Sequence, residues 1–125
     1  WSRSTFLKII DINQSNWAFV TEEVKLGEPY DVDAICVNEL LKKSEQGVID
    51  ILKVDIEGSE RTLFQENLEW LPKTKLIIME IHSDEIRKVC ENVLFSNGFT
   101  HFFAYGENDY FANKAYFDEK QRVFS

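Results

Sequence analysis

Apolar residues fall in short runs separated by acidic or glycine-containing breaks, a pattern that predicts alternating strands and helices. Asn16 to Val24 has the aromatic and β-branched content of a strand. Gly27-Glu28-Pro29 punctuates it, and Tyr30 to Val37 follows as a second extended piece. Asn38 to Lys43 predicts a short helix capped by Asn38, whose side-chain oxygen can accept from an otherwise orphaned backbone N–H, and Gly47 ends that unit. Ile49 to Val54 is an apolar strand. Gly58 or Ser59 then caps a helix from Glu60 to about Asn67, and Pro72 closes it.

Lys75 to Ile81 (KLIIMEI) is nearly continuous in apolar residues, which predicts a central parallel strand covered on both faces. From Asp84 onward, Ile86, Val89, Cys90, Val93 and Leu94 recur at helical spacing as one apolar stripe, and Gly98 sits just past its end. Phe99 to Tyr105 and Tyr110 to Ala115, separated by Gly106-Glu107-Asn108-Asp109, predict an antiparallel hairpin. Strand, helix, strand, helix and hairpin make an α/β fold with a mixed sheet, right-handed parallel connections and the hairpin at one edge. Residues 1–15 fit no element of this pattern. Starting on Trp1 rather than methionine, the chain reads as a single domain over residues 1–125, cut from a larger protein.

Composition narrows the partners. With 125 residues, 44% of them apolar, the chain can bury a substantial core. A formal net charge of −8 argues against nucleic acid and against an anionic membrane surface, both of which need a basic footprint. The longest apolar run, Leu76 to Met79 with Ile81 beyond Glu80, is too short to span a bilayer, so a soluble cytoplasmic protein is expected. Cys36 and Cys90 have neither metal-ligand spacing nor a disulfide-rich context and are expected to pack in the core.

The candidate chemistry lies where the strands end. In open α/β sheets ligands bind beyond the carboxyl ends of the strands. One strand here delivers Asp55 and Glu57, the next Glu80 and His82. Adjacent strands lie about 4.8 Å apart, so converging ends could share a ligand, a metal or a hydroxyl to be deprotonated. Carboxylates crowded in a pocket repel one another and desolvation adds to that effect, which favours a general-base role for one of them, and His82 has an unperturbed pKa nearer neutrality. Asp-x-Glu-Gly is equally good turn and helix-cap chemistry. Glu80, inside an apolar strand, needs a partner or a function; Lys53 is expected to neutralise a nearby strand-end acid. His82 could instead open the following helix, and His101 reads as structural. Five scattered glycines make no glycine-rich phosphate or nucleotide loop, and the absence of a Gly-x-Ser-x-Gly elbow or a Cys/His pair argues against covalent catalysis.

Ile49 to Glu60 (IDILKVDIEGSE), Leu76 to His82 (LIIMEIH) and Phe95 to Phe99 (FSNGF) resemble the carboxy-terminal half of the FkbM-type S-adenosylmethionine-dependent methyltransferases. Cys36 to Leu41 (CVNELL) is similar to a segment that the family usually writes with an aspartate where Asn38 stands. The resemblance covers about Val32 to Ala115. It implies the later part of a Rossmann-like class I methyltransferase fold, S-adenosylmethionine as cofactor, and O-methylation of a small-molecule or glycan hydroxyl, typically on a sugar or natural product. It also implies that Asp55 and Glu57 lie beside the cofactor's methionine portion and that Glu80 and His82 line the same crevice. As the base, Asp55 and Glu57 rank first and His82 next. Two other readings stay open. One is a divalent-metal-dependent hydrolase holding Mg²⁺ or Mn²⁺ on Asp55, Glu57, Glu80 and His82; the other is a non-catalytic half-domain that self-associates through an exposed sheet edge.

The family's glycine-rich cofactor loop has no counterpart here, so the isolated chain is expected to be inactive and to bind S-adenosylmethionine weakly or not at all. Calorimetry checks this, and low-micromolar or tighter binding would refute it.

Overall fold

The computed structural model describes residues 1–2, 4–11 and 19–117. Two sheets divide the strands. In the first, β1 (Thr5–Asp11) lies between β2 (Phe19–Glu23) and β3 (Val32–Ala34), antiparallel to both, with Leu7 opposite Glu23 on one side and Val32 on the other. Leu7 is buried. The opening residues that fitted no local pattern therefore become a strand through partners far along the chain. The predicted strand from Asn16 narrows to Phe19–Glu23, its first three positions falling outside the described residues, and the piece from Tyr30 shrinks to three residues.

The second sheet carries the later chain. It follows α1 (Val37–Lys43) and contains β4 (Ile49–Val54), β5 (Thr74–Glu80), β6 (Phe99–Tyr105) and β7 (Asn108–Asn113) in the order β4-β5-β7-β6. Helices α2 (Glu60–Leu63) and α3 (Asp84–Ser96) connect β4 to β5 and β5 to β6, with a 3₁₀ turn at Leu71–Lys73 before β5. β4 and β5 are parallel, whereas β7 is antiparallel to both β5 and β6. The mixed α/β sheet with a terminal hairpin is as expected. β7, the second strand of the hairpin, is the one that touches the parallel pair.

Several expectations need correction. Asn38 does not cap α1. Cys36 occupies that position with extended backbone, while the Asn38 amide donates to Asn67 O at 3.0 Å and to Glu69 Oε2 at 2.7 Å, tying α1 to the chain beyond α2. Helix α2 stops at Leu63 rather than near Asn67. Phe64 N–H donates to Arg61 O and Gln65 N–H to Thr62 O, three-residue steps that tighten and close the turn. β5 is inside the sheet, but its apolar residues are covered unevenly: Ile77 and Met79 on one face are fully buried, and Leu76 and Ile78 on the other are half-covered. The hairpin loop is Gly106-Glu107 alone, because β7 already starts at Asn108, paired with Tyr105. Gly106 takes φ 60°, the left-handed first position that a two-residue loop of this kind reserves for glycine.

One apolar core joins α1, the second sheet and its helices. Val37 and Leu41 of α1, Val54, Leu63, Ile77, Met79, Phe99, Phe111 and the α3 stripe residues Cys90 and Leu94 pack together, with Ile86 and Val93 against them. Both cysteines are free and buried, as expected. No helix among the described residues is long and apolar enough to cross a membrane.

A polar tie fastens α3 to the hairpin. Asp109 on β7 accepts from Arg87 of α3 at 2.8 Å and from His101 of β6 at 2.9 Å, which gives His101 a contact across the hairpin. Burial alone would raise the Asp109 carboxyl, but the hydrogen bonds and charges of Arg87 and His101 outweigh it and hold it below its ordinary value. A depressed carboxyl stabilises the fold fully above its ordinary value of 3.8 and loses that contribution as pH falls through the lower folded value. Asp109→Asn should therefore cost about 2 kcal/mol near neutrality, with the gap to the parent chain shrinking in acid. Urea unfolding across that range checks it, and a gap independent of pH would count against the tie.

Candidate functional site

The parallel register of β4 and β5 builds the site. Val54 stands opposite Met79, so Asp55 and Glu80 leave the sheet side by side at one end, and Asn108, at the start of β7, pairs with Glu80 at that same end. The Gly106-Glu107 loop sits there too.

Beyond Val54 the chain turns sharply. Ile56 packs against the core, and Ser59 N–H closes the turn by donating to Ile56 O at 3.0 Å. Glu57 takes φ 46° and Gly58 φ 91°, two left-handed residues in succession. Glycine adopts that conformation freely. A residue with a Cβ is strained by about 1 kcal/mol there, and such strain persists where the surroundings enforce it, commonly at functional sites.

This turn and the end of β5 bring the three predicted acids around the His82 imidazole. Glu57 Oε2 lies 3.4 Å from His82 Nε2 and Glu80 Oε2 3.9 Å from the same atom. Asp55, Glu57 and His82 each present an atom within 4.8 Å of the others, close enough for one positive centre to sit among them. Lys53 Nζ pairs with Glu80 Oε1 at 3.4 Å and also donates to Asn108 Oδ1, which bears out its neutralising role. His82 does not cap α3; Ser83 does, accepting from Ile86 N–H.

Three contributors were missed from the sequence. Glu60, the first residue of α2, is fully buried, and its Oε1 meets His82 Nδ1 and accepts from Gly58 N–H at 3.3 Å. At a helix start an acid looks like an ordinary partner for the dipole; the readable signal was a third acid only three positions after Glu57. Arg87 and Asp109 form a wall of the site. Arg87 was hidden among the polar positions of α3, and Asp109 was read as part of a turn.

Electrostatics follow from these contacts. Burial lowers the His82 pKa, but the Glu60 hydrogen bond and charge, with Glu57 and Asp55 adding, outweigh it and raise the pKa above its ordinary 6.5. Burial and the Glu60 charge push the Cys90 thiol up to about 12, so it stays protonated.

Two hollows meet at Glu57. A polar one of about 590 Å³ is lined by Glu57, Glu80, His82, Arg87, Glu107, Asn108 and Asp109, among others. A largely apolar one of about 300 Å³ is lined by Trp1, Leu7, Ala34, Ile35 and Ile56, with Glu57 and Ser59 at its polar side. The pair can take a ligand whose positive charge sits at the carboxylates and whose apolar body fills the second hollow.

A family model described as "Methyltransferase FkbM domain" matches residues 2–119. The match extends past the 32–115 stretch of the resemblance and takes in β1, β2 and β3. No curated protein matches, and no solved structure does.

Backbone strain at Glu57 is measurable. Glu57→Gly should leave stability unchanged or raise it by up to about 1 kcal/mol, and Glu57→Ala should be the less stable of the two variants. Urea unfolding of both tests this, and Glu57→Gly proving the less stable would contradict it.

Proposed function

This chain belongs to the FkbM methyltransferase domain family, and from that membership we propose that it forms part of an S-adenosylmethionine-dependent O-methyltransferase with a Rossmann-like class I fold. Its acceptor is a hydroxyl on a sugar or another natural product. The observation that carries the reading is Glu57 lining both hollows, with His82 Nε2 3.4 Å away.

The residues around Glu57 suit a sulfonium donor. Asp55 and Glu57 place negative charge where a sulfonium would sit, and Trp1, Ile35 and Ile56 offer apolar surface beside them. When bound, S-adenosylmethionine supplies an electrophilic methyl group. Asp55 and Glu57 would hold it, because solvent-facing carboxylates whose shared neighbour is an imidazole, uncharged when deprotonated, attract a positive ligand.

The acceptor enters the polar hollow. Asn108, Glu107 and Arg87 offer donors and acceptors suited to a hydroxyl-rich molecule. His82 Nε2 receives the proton that the acceptor hydroxyl releases, which moves His82 ahead of Asp55 and Glu57 as the base. Its opposite nitrogen is anchored on Glu60, whereas Glu80 is committed to Lys53. General-base catalysis of this kind is worth about 10²–10⁴-fold.

Methyl transfer by the full-length protein across a panel of hydroxylated substrates tests the proposal. His82→Gln should lower kcat by about 10²-fold or more, and Asp55→Asn and Glu57→Gln should weaken cofactor binding. The base form of His82 is the neutral one, so the rate should rise with pH through a midpoint above 6.5. Full activity in His82→Gln would remove the assigned base, and no transfer to any hydroxyl would remove the reaction.

A further inference from the structure

We infer that Glu60 is the positioning residue of this site, its buried carboxylate fixing neutral His82 with the proton on Nδ1 and the lone pair on Nε2. The inference rests on the reading of His82 as the base.

The geometry supplies the reasoning. Glu60 Oε1 meets His82 Nδ1. An ionised carboxylate can only accept hydrogen bonds, so Nδ1 must carry the proton. In neutral imidazole that leaves Nε2 as the acceptor. The charged groups around Nε2 are Glu57 at 3.4 Å and Glu80 at 3.9 Å, with Asp55 beside them, and each is itself an acceptor. None of these carboxylates can donate to the lone pair. A hydroxyl can, which is the group that the proposed reaction must deprotonate.

Burial separates Glu60 from its neighbours. Its side chain is 0% exposed, whereas the Glu57 side chain is 50% exposed. Glu60 Oε2 has no hydrogen-bond partner among the described residues. Holding a carboxylate there with one oxygen unpaired is costly, and an apolar residue would fill the space more cheaply. The surrounding structure also braces the contact, since Gly58 N–H donates to the same Oε1 from within the turn that aims Glu57. One carboxylate thereby couples the orientation of the base to the turn carrying the cofactor-facing acids.

Removal of the acceptor discriminates the role. Glu60→Leu fills the buried space without an acceptor for Nδ1–H, so the imidazole proton moves to Nε2, where Glu57 and Glu80 can accept it, and the lone pair leaves the hollow. Nitrogen-15 NMR of the two histidines, with the His82 signal assigned by its loss in His82→Gln, reads this directly. Parent His82 should be the Nδ1–H tautomer when neutral. Glu60→Leu should switch it to Nε2–H and lower its titration midpoint, while Glu57→Gln should lower the midpoint and keep the tautomer. In the full-length enzyme Glu60→Leu should lower kcat by about 10²-fold or more, with KM little changed, as expected for a base held in the wrong tautomer.

An Nε2–H tautomer in the parent chain overturns the inference, as does an unchanged tautomer in a folded Glu60→Leu. Should Glu60→Leu fail to fold, the parent tautomer decides alone. The expected tautomers without methyl transfer would leave this inference standing and overturn the proposed reaction.

Discussion

The side-by-side exit of β4 and β5 governs everything at the site. Their parallel ladder runs in register to Val54 and Met79, so the two strand ends emerge together and their acids cannot diverge far. β7, pairing antiparallel with β5, brings its own start and the hairpin loop to the same place. Three backbone segments thus meet at one end of the sheet. A one-residue slip between β4 and β5 would turn every side chain of one strand to the other face. Burial of Ile77 and Met79 against Val54 and Phe111 opposes that slip, which makes the core the guardian of the site's geometry.

That convergence concentrates negative charge in a chain already carrying a formal net charge of −8. The structure manages it unevenly. Lys53 takes up Glu80, and Arg87 takes up Asp109, so those two acids are held by cations. Asp55 and Glu57 instead share a single imidazole that is charged only when protonated. Were the proposed cofactor to bind here, its binding and proton uptake would be linked, because a positive ligand and a protonated His82 would compete for the same carboxylates. The raised His82 pKa is the resting side of that balance.

Much of the later fold was legible because its signals are local. The α3 stripe, the apolar run of β5 and the glycine-marked hairpin each announce themselves within a short window, and each appears close to its predicted limits. β1 does not, since it is a strand only by virtue of β2 and β3, whose pairing spans distant residues. Asn38 misled because its amide found a better use across the chain than at its own helix start. At the site, Asp55, Glu57, Glu80 and His82 could be picked out from strand-end position. Glu60 could not, because its importance comes from complete burial beneath His82, a property of packing rather than of residue type. Arg87 and Asp109 escaped notice for the same reason: their pairing joins a helix to a strand across 22 residues.

Among the described residues β4 is the outermost strand of its sheet, and its Ile51 is 61% exposed. The root of the Asp55–Glu57 turn is held there on one flank, through the ladder to β5. A cavity opened at Ile77 or Met79 would slacken that ladder, so damage deep in the core would be felt as a change of aim at the strand ends.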